Sequence, residues 1–267
     1  MNIIIIGCGT SGNQIIPLLD GCTIIDRDII EEKNLTRQPL FTSKDIGKPK
    51  AQVLAEKYNL PYHILDLDYT NIDILSSADL IIDCTDNLQT RFLINDFAIK
   101  NNIPWIYTGI VTDLSRVMSI TGEYCFSCIF SAIKGLDTCS TAGVDLETAK
   151  QMAQIVLEEI QRIRQGKKGR GLWANNEWLT INKNPECKTC QGVYEYLEGK
   201  QEKVVKYCGS SRYQFKGEFD FEKIKERLNG KGDWFIHEDI YIFKERIVVK
   251  AKTQKEAEKK FSKIIGW

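Results

Sequence analysis

A chain of 267 residues with 36 basic and 36 acidic side chains has room for one large α/β domain and an appendage, and its balanced charge argues against nucleic acid or an anionic membrane as the main partner. No run approaches the roughly 18–20 uninterrupted apolar residues of a membrane span. With a strand starting at Asn2 there is no room for a signal peptide before it, so a cytoplasmic protein is expected.

In chain order, residues 3–6 are a β-branched apolar strand and "GCGTSG" at 7–12 is a tight turn. Asn13–Leu19 carries a helical apolar pattern, and "CTIID" at 22–26 is a second short strand ending on an acid. Strand, glycine turn, helix and strand within about 25 residues make a βαβ unit with parallel strands. "GKPKAQVLAEKYN" then reads as a helix, "PYHILDLD" as a strand, "ADLIIDCTDN" as a buried strand, "LQTRFLINDFAIKNN" as a helix and "IPWIYTGIV" as a strand. The alternation predicts an α/β fold with a doubly wound, Rossmann-like, mainly parallel sheet over residues 1 to about 120.

After Cys128 the texture changes. "SAIKGLDTCSTAG" has small and polar residues without a period, which predicts a flexible loop near 129–144. Asp145–Arg164 is a helix with Ala149, Met152, Ala153, Val156, Leu157, Ile160 and Ile163 on one stripe. The basic loop "RIRQGKKGRG" that ends it reads as a solvated turn ahead of an anion site. "EWLTINKN" and "KVVKY" are short strands flanking the second CxxC pair. The tail holds a helix ("FDFEKIKERLNG"), two strands ("IYIFKE", "RIVVKA") and a last helix opened by Thr253 as N-cap. The expected division is a main domain over 1–210 and a small α+β module over 211–267.

The glycine turn calls for a nucleotide without choosing one. Gly7, Gly9 and Gly12 meet the needs of a tight turn, a close backbone approach to phosphate, and close helix–strand packing. Asp26 stands at the end of the second strand, where an NAD enzyme needs an acceptor for the ribose hydroxyls. An NAD(P)-dependent oxidoreductase is therefore the alternative reading. Residues 34–50 weigh against it: "NLTRQ" places Asn34, Arg37 and Gln38 within one turn or loop, and "GKPK" offers Lys48 and Lys50 at a helix start. Arg37 with one of these lysines suits a triphosphate better than a pyrophosphate already held by backbone amides. "DCTDN" then sets Asp83 and Asp86 at the carboxyl end of a parallel strand. A carboxylate facing phosphates repels them unless a cation lies between, so Asp86 implies Mg²⁺, which nicotinamide chemistry does not need there.

Nine cysteines include two CxxC pairs, Cys125/Cys128 and Cys187/Cys190, which in a reducing compartment point to metal ahead of disulfides. The glycine turn, the acids Asp26 and Asp28 of "DRD", "NLTRQ", "GKPKA", "DCTDNLQTR", the two CxxC pairs and "TCSTAGV" stand in one order and spacing. In that combination the sequence resembles the ubiquitin-activating-enzyme-like adenylyltransferases of the ThiF/MoeB type, and the tail with "RYQF" at 212–215 resembles the extension of such proteins.

The resemblance implies ATP- and Mg²⁺-dependent adenylylation of the C-terminal glycine of a small ubiquitin-like carrier ending in Gly-Gly, by a homodimer. It leaves open whether the carrier serves thiamin, molybdopterin, tRNA thiolation or protein modification. It implies that Asp26 holds the ribose, that Asn34, Arg37 and Gln38 contact phosphates and the attacking group, that Lys50 acts at the reacting phosphate and that Asp86 holds magnesium. Arg91 reads as a group that orients the Asp86 strand. Cys125, Cys128, Cys187 and Cys190 match a structural zinc site, ahead of a redox CxxC. Cys139 is a candidate nucleophile for thioester or persulfide chemistry. Cys8, Cys22 and Cys84 read as small buried hydrophobes. Two departures stand out. The chain starts directly at the first strand, where many relatives carry an N-terminal helix with an arginine that reaches the neighbouring subunit, and "VDLETAKQMAQ" replaces a glycine-rich helix start. A third reading, a nucleotide-binding adaptor without chemistry, is disfavoured by the joint presence of Arg37, Lys50 and Asp86.

Overall fold

A computed structural model describes residues 1–111, 113–130, 145–199, 204–206, 212–216 and 219–265. The chain divides into two compact units, Met1–Lys200 and Gln201–Trp267.

In the first unit the strands are β1 (Ile3–Ile6), β2 (Thr23–Ile25), β3 (Tyr62–His63), β4 (Leu80–Asp83), β5 (Trp105–Val111), β6 (Leu114–Ile120), β7 (Leu172–Ala174) and β8 (Glu177–Leu179). The helices are α1 (Thr10–Ile15), α2 (Lys50–Tyr58), α3 (Leu88–Asn101), α4 (Ser127–Phe130) and α5 (Leu146–Arg164). All eight strands form one sheet in the order β3-β2-β1-β4-β5-β6-β7-β8. Pairs from β3 to β5 are parallel, and those from β5 to β8 are antiparallel.

Side chains alternate across the sheet and feed two cores. Ile3 and Ile5 of β1 join α1, α2 and α5 on one face, through Ile15, Leu54, Met152 and Val156. Ile4 and Ile6 join α3 on the other, through Leu93, Ile94 and Phe97. The α5 stripe is buried at Ala149, Met152, Ala153, Val156 and Ile160, and the helix starts where Asp145 accepts from the Thr148 N–H at 2.9 Å.

Several expected elements differ in extent. The first helix starts at Thr10 and passes into a 3-10 turn over Ile16–Leu18, because Pro17 has no N–H to continue the ladder. The strand expected over 61–68 pairs only at Tyr62–His63, since the chain then turns, with the Asn71 side chain bonding the Asp66 carbonyl and the Asp68 N–H. Strands β6 and β7 were not among the expected elements, because "LSRVMSI" and "LWA" carry little of the alternation that marks a strand.

The second unit contains β9 (Val204–Lys206), β10 (Arg212–Lys216), α6 (Phe221–Arg227), β11 (Trp234–His237), β12 (Ile240–Phe243), β13 (Arg246–Lys250) and α7 (Gln254–Ile265). Its sheet is antiparallel in the order β11-β12-β13-β10-β9. Tyr213, Phe215, Ile242, Ile247 and Val249 pack with Phe221, Ile224, Ala257 and Ile264 from the two helices. Thr253 accepts from the Glu256 N–H at 3.2 Å, which is the capping role its position suggested.

Candidate active site

From β1 the parallel sheet grows outward through β2 and β3, then resumes on the other side of β1 with β4 and β5. The crevice beyond the carboxyl ends of β1 and β4 is the place where sheets of this winding take ligands. The glycine turn follows β1 directly into it. Gly7 has φ +102°, and a Cβ there would stand 2.6 Å from the Cys84 carbonyl oxygen. A Cβ on Gly12 would collide with the Gly7 carbonyl oxygen, so both glycines are required by packing. Gly9 is different: a Cβ there meets nothing within 4 Å, and the open space beside its backbone is what an approaching phosphate needs.

Asp26, at the end of β2, is 7% exposed. Its carboxylate accepts from the Cys8 N–H and, at 2.5 Å, from the Asp28 N–H, so two of its four acceptor sites remain for a ligand. Burial pushes this carboxyl up to about 6, the charge of Asp28 adds to the rise, and Lys50 with the two N–H donors opposes it.

Lys50 opens α2 after Pro49 and is 5% exposed. Burial alone would discharge its ammonium, but Asp28, Asp26 and Asp86 outweigh burial and hold it charged, with its pKa above the usual lysine value. Its Nζ donates to Asp28 Oδ2 at 3.0 Å. A lysine at the positive end of a helix is placed against the dipole, so these carboxylates keep it there. Lys48, the other candidate, is half exposed and bonds Asp45 at 3.2 Å.

Asn34 and Gln38 are buried and Arg37 is half-buried between them in sequence. The Asn34 side-chain Oδ1 accepts from the Glu31 N–H at 2.8 Å and so fixes this turn, leaving its side-chain Nδ2 as the group that can face a ligand. Gln38 is 5% exposed, and its Oε1 has no hydrogen-bond partner among the described residues. A buried polar atom left unmet costs about 1–3 kcal/mol, so Gln38 is the kind of group a ligand completes. Asn13, which the sequence did not single out, ties this segment to the glycine turn. Its Nδ2 donates to the Cys8 carbonyl at 3.0 Å and its Oδ1 accepts from the Leu40 N–H at 3.1 Å. The available signal was a side-chain amide directly after the glycine turn, at the start of the apolar helical pattern.

The two acids after β4 have different surroundings. Asp83 is fully buried and accepts from Thr85 N–H at 3.0 Å, Thr85 Oγ1 at 2.6 Å and Arg91 Nε at 3.2 Å. Burial raises its pKa against the pull of Arg91 and Thr85. Arg91 also donates to the carbonyls of Thr85 and, at 3.1 Å, Thr108, so it braces the loop that carries Asp86. Asp86 itself is exposed, and its charge reaches Lys50. A carboxylate whose charge reaches a buried lysine yet remains open to solvent fits a Mg²⁺ ligand.

Cys125, Cys128, Cys187 and Cys190 converge. Sulfur–sulfur distances are 3.8 Å (125–128), 3.5 Å (125–187), 3.5 Å (128–190) and 3.4 Å (125–190), and all four atoms lie within 4.8 Å of one another. A tetrahedral ion with metal–sulfur bonds of ~2.3 Å has edges of about 3.8 Å, so these four edges are within a few tenths of an ångström of those of a four-thiolate site. Burial pushes the Cys125 and Cys190 thiols up, Cys190 to about 12; burial also opposes ionisation at Cys128, but hydrogen bonds from the Cys125 and Asn184 backbones and from the Cys190 and Cys125 thiols together outweigh it and draw Cys128 down. Thiols held protonated in this way need a cation to ionise them. Cys8, Cys22 and Cys84 are buried in or beside strands, as small hydrophobes are. Cys139 lies outside the described residues, as does most of the loop expected near it.

The ThiF family model matches residues 1–192. A sulfur carrier protein ThiS adenylyltransferase of Bacillus subtilis is 26% identical over 258 residues, spanning 85% of this chain and 76% of that protein. A sulfur carrier protein adenylyltransferase of Thermus thermophilus is 26% identical over 221 residues, spanning 71% and 82%. Among solved structures, Escherichia coli MccB matches with a TM-score of 0.58 and 20% identity, over 71% of this chain and 64% of that one. No helix among the described residues is long and apolar enough to cross a membrane.

Proposed function

The chain belongs to the ThiF family and is an adenylyltransferase, and from that premise we propose that it joins AMP from ATP to the C-terminal glycine of a small ubiquitin-like sulfur-carrier or modifier protein ending in Gly-Gly. The observation that supports this reading is the buried Lys50, bonded to Asp28 at 3.0 Å and kept charged by Asp28, Asp26 and Asp86. A dinucleotide enzyme needs neither that cation nor the exposed carboxylate facing it.

In the reaction, a carboxylate oxygen of the carrier attacks the α-phosphorus in line. The new C–O–P linkage forms as the bond to the β-phosphate oxygen breaks, and pyrophosphate leaves. No group on the protein need change its protonation state, so catalysis is positioning and fixed charge. Asp26 accepts from the ribose hydroxyls through its two remaining acceptor sites. The Gly9 backbone admits the phosphates, and Lys50 and Arg37 offset the charge that grows on the phosphoryl oxygens. The Asn34 and Gln38 amides complete the wall of the crevice. Asp86 would hold Mg²⁺, whose charge offsets the repulsion among the phosphates.

The four cysteines would hold zinc, chosen by the soft sulfur donors and the tetrahedral spacing. It would pin the chain after α5 to the end of the main sheet. A homodimer is the assembly that the family resemblance implies.

The test is exchange of labelled pyrophosphate into ATP with Mg²⁺ and a candidate carrier ending in Gly-Gly. Exchange should depend on the carrier and disappear in Asp86→Ala. Tight NAD binding with no exchange for any such carrier would overturn the proposal in favour of a redox enzyme.

A further inference from the structure

One helix holds both the cysteine cluster and the phosphate crevice. At the amino end of α3, the Asn87 side chain caps the helix by accepting from the Gln89 N–H at 2.9 Å, so the cap follows Asp86 directly and the helix begins at Leu88. Arg91, one turn in, braces the loop carrying Asp86 through the Thr85 and Thr108 carbonyls and Asp83. Asn95 is one further turn along the same face, about 6 Å down the axis. Its Oδ1 accepts from the Phe126 N–H at 2.9 Å and its Nδ2 donates to Ser127 Oγ at 3.1 Å. Asp96 accepts from Thr189 Oγ1 at 2.8 Å and from the Tyr196 N–H at 3.0 Å.

Ser127 lies between the cysteines of the first CxxC pair and Thr189 between those of the second, and the two hydroxyls are 3.3 Å apart. Both knuckles are thus bonded to each other and to adjacent residues of α3. Asn95 is 0% exposed and Asp96 1%, so neither can exchange these partners for bulk water without the helix moving.

We propose that Asn95 and Asp96 are positioning residues that link metal occupancy of the cysteine cluster to nucleotide binding through α3. With the ion in place, the knuckles present Ser127, Phe126 and Thr189 to the helix in fixed register. Without it the thiol groups separate, the buried amide and carboxylate lose their partners, and α3 shifts to find others. Arg91 shifts with it and loosens the loop that carries Asp86. Linkage is reciprocal, so nucleotide binding must tighten the hold on the metal by the same factor. The proposal rests on the ATP and metal assignments above.

The experiment uses the full chain loaded with Zn²⁺, as wild type, Asn95→Leu, Asp96→Leu and the milder Thr189→Val, which removes two hydroxyl contacts at nearly constant shape. Zinc release to a chromophoric chelator is timed with and without Mg²⁺ and a non-hydrolysable ATP analogue, and analogue affinity is measured before and after stripping. Release should be 10–100-fold faster in the variants. The analogue should slow release from wild type about fivefold or more and have little effect on the variants, and stripping should weaken its binding to wild type about fivefold or more. Stripped and loaded wild type binding the analogue equally well would overturn the linkage while leaving the enzyme assignment intact. Failure of loaded wild type to bind the analogue at all would instead defeat the ATP assignment, and the linkage with it. Should the leucine variants fail to fold, Thr189→Val decides the question alone.

Discussion

Replacing Cys187 by serine removes one of four ligands while keeping the size of the side chain, and its effect follows from chain geometry. Cys128 and Cys187 enclose residues 129–186, a loop of about 60 residues. Closing a loop of that length restricts the unfolded chain by about 4 kcal/mol on the entropy scale that describes disulfides, and a four-thiolate ion closes it in the same sense. For a unit of about 200 residues each kcal/mol moves the midpoint by roughly 2–4 °C, so the loss is expected to be about 8–16 °C. Thermal unfolding followed by circular dichroism, with metal counted by elemental analysis, measures both quantities. Wild type should carry one zinc per chain, stripping should reproduce the serine variant's midpoint, and stripping the variant should change nothing. A metal-free wild type with an unchanged midpoint would refute the reasoning, and the cysteines would then be a packed cluster.

Lys50→Met keeps the buried stem and removes the charge; pyrophosphate exchange should fall about 10²–10³-fold, the usual effect of deleting one fixed stabilising group, while the fold persists by circular dichroism. The same variant removes the charge of Lys50 from beside Asp26, so the Asp26 carboxyl should titrate above the wild-type value of about 6, which a carboxylate-labelled NMR titration reads directly. For the wild type the sign is set by the raised pKa: the folded protein binds a proton at Asp26 more readily than the unfolded chain, so this group's contribution to stability is present below about pH 4 and lost as pH rises through about 6. ATP affinity runs the opposite way, falling as the pH drops below about 6, and Asp26→Asn should abolish that dependence; an unchanged acid limb in the variant would show that another group controls it. Gly12→Ala and Gly9→Ala should separate packing from binding. The first should lower stability by about 1–3 kcal/mol in denaturant melts because its Cβ meets the Gly7 carbonyl, and the second should keep stability while weakening ATP binding tenfold or more. Equal effects at the two positions would contradict the assignment of Gly9 to the phosphates.

The parallel half of the sheet was legible because its central strands β1 and β4 are buried on both faces and read as short apolar runs, "IIII" and "LIID", each followed by a turn and a helix. The antiparallel half was not. In β6 the buried positions include Ser115 and Ser119, the latter bonded to the buried Glu159 of α5, so polarity marks no face there. Candidate site residues carried by local motifs could be named in order along the chain: the glycines, Asp26, Lys50 and Asp86. What sequence order could not give was how otherwise equivalent groups differ in burial and partners. Lys50 and Lys48 differ by two positions, yet one is buried against Asp28 and the other lies on the surface with Asp45. Asp83 and Asp86 differ by three, yet Asp83 is occupied by Thr85 and Arg91. The pinning of the cysteine knuckles by Asn95 and Asp96 joins residues up to 100 positions apart and has no local signature.

Incubating the chain with ATP labelled at the α-phosphate, Mg²⁺ and a carrier ending in Gly-Gly tests the central assignment most directly. The label should move to the carrier's terminus as an acid-stable acyl-adenylate with loss of pyrophosphate, and neither Asp86→Ala nor a carrier lacking its last glycine should take it up. Label that stays in free nucleotide with every such carrier, or that transfers undiminished in Asp86→Ala, would contradict the account.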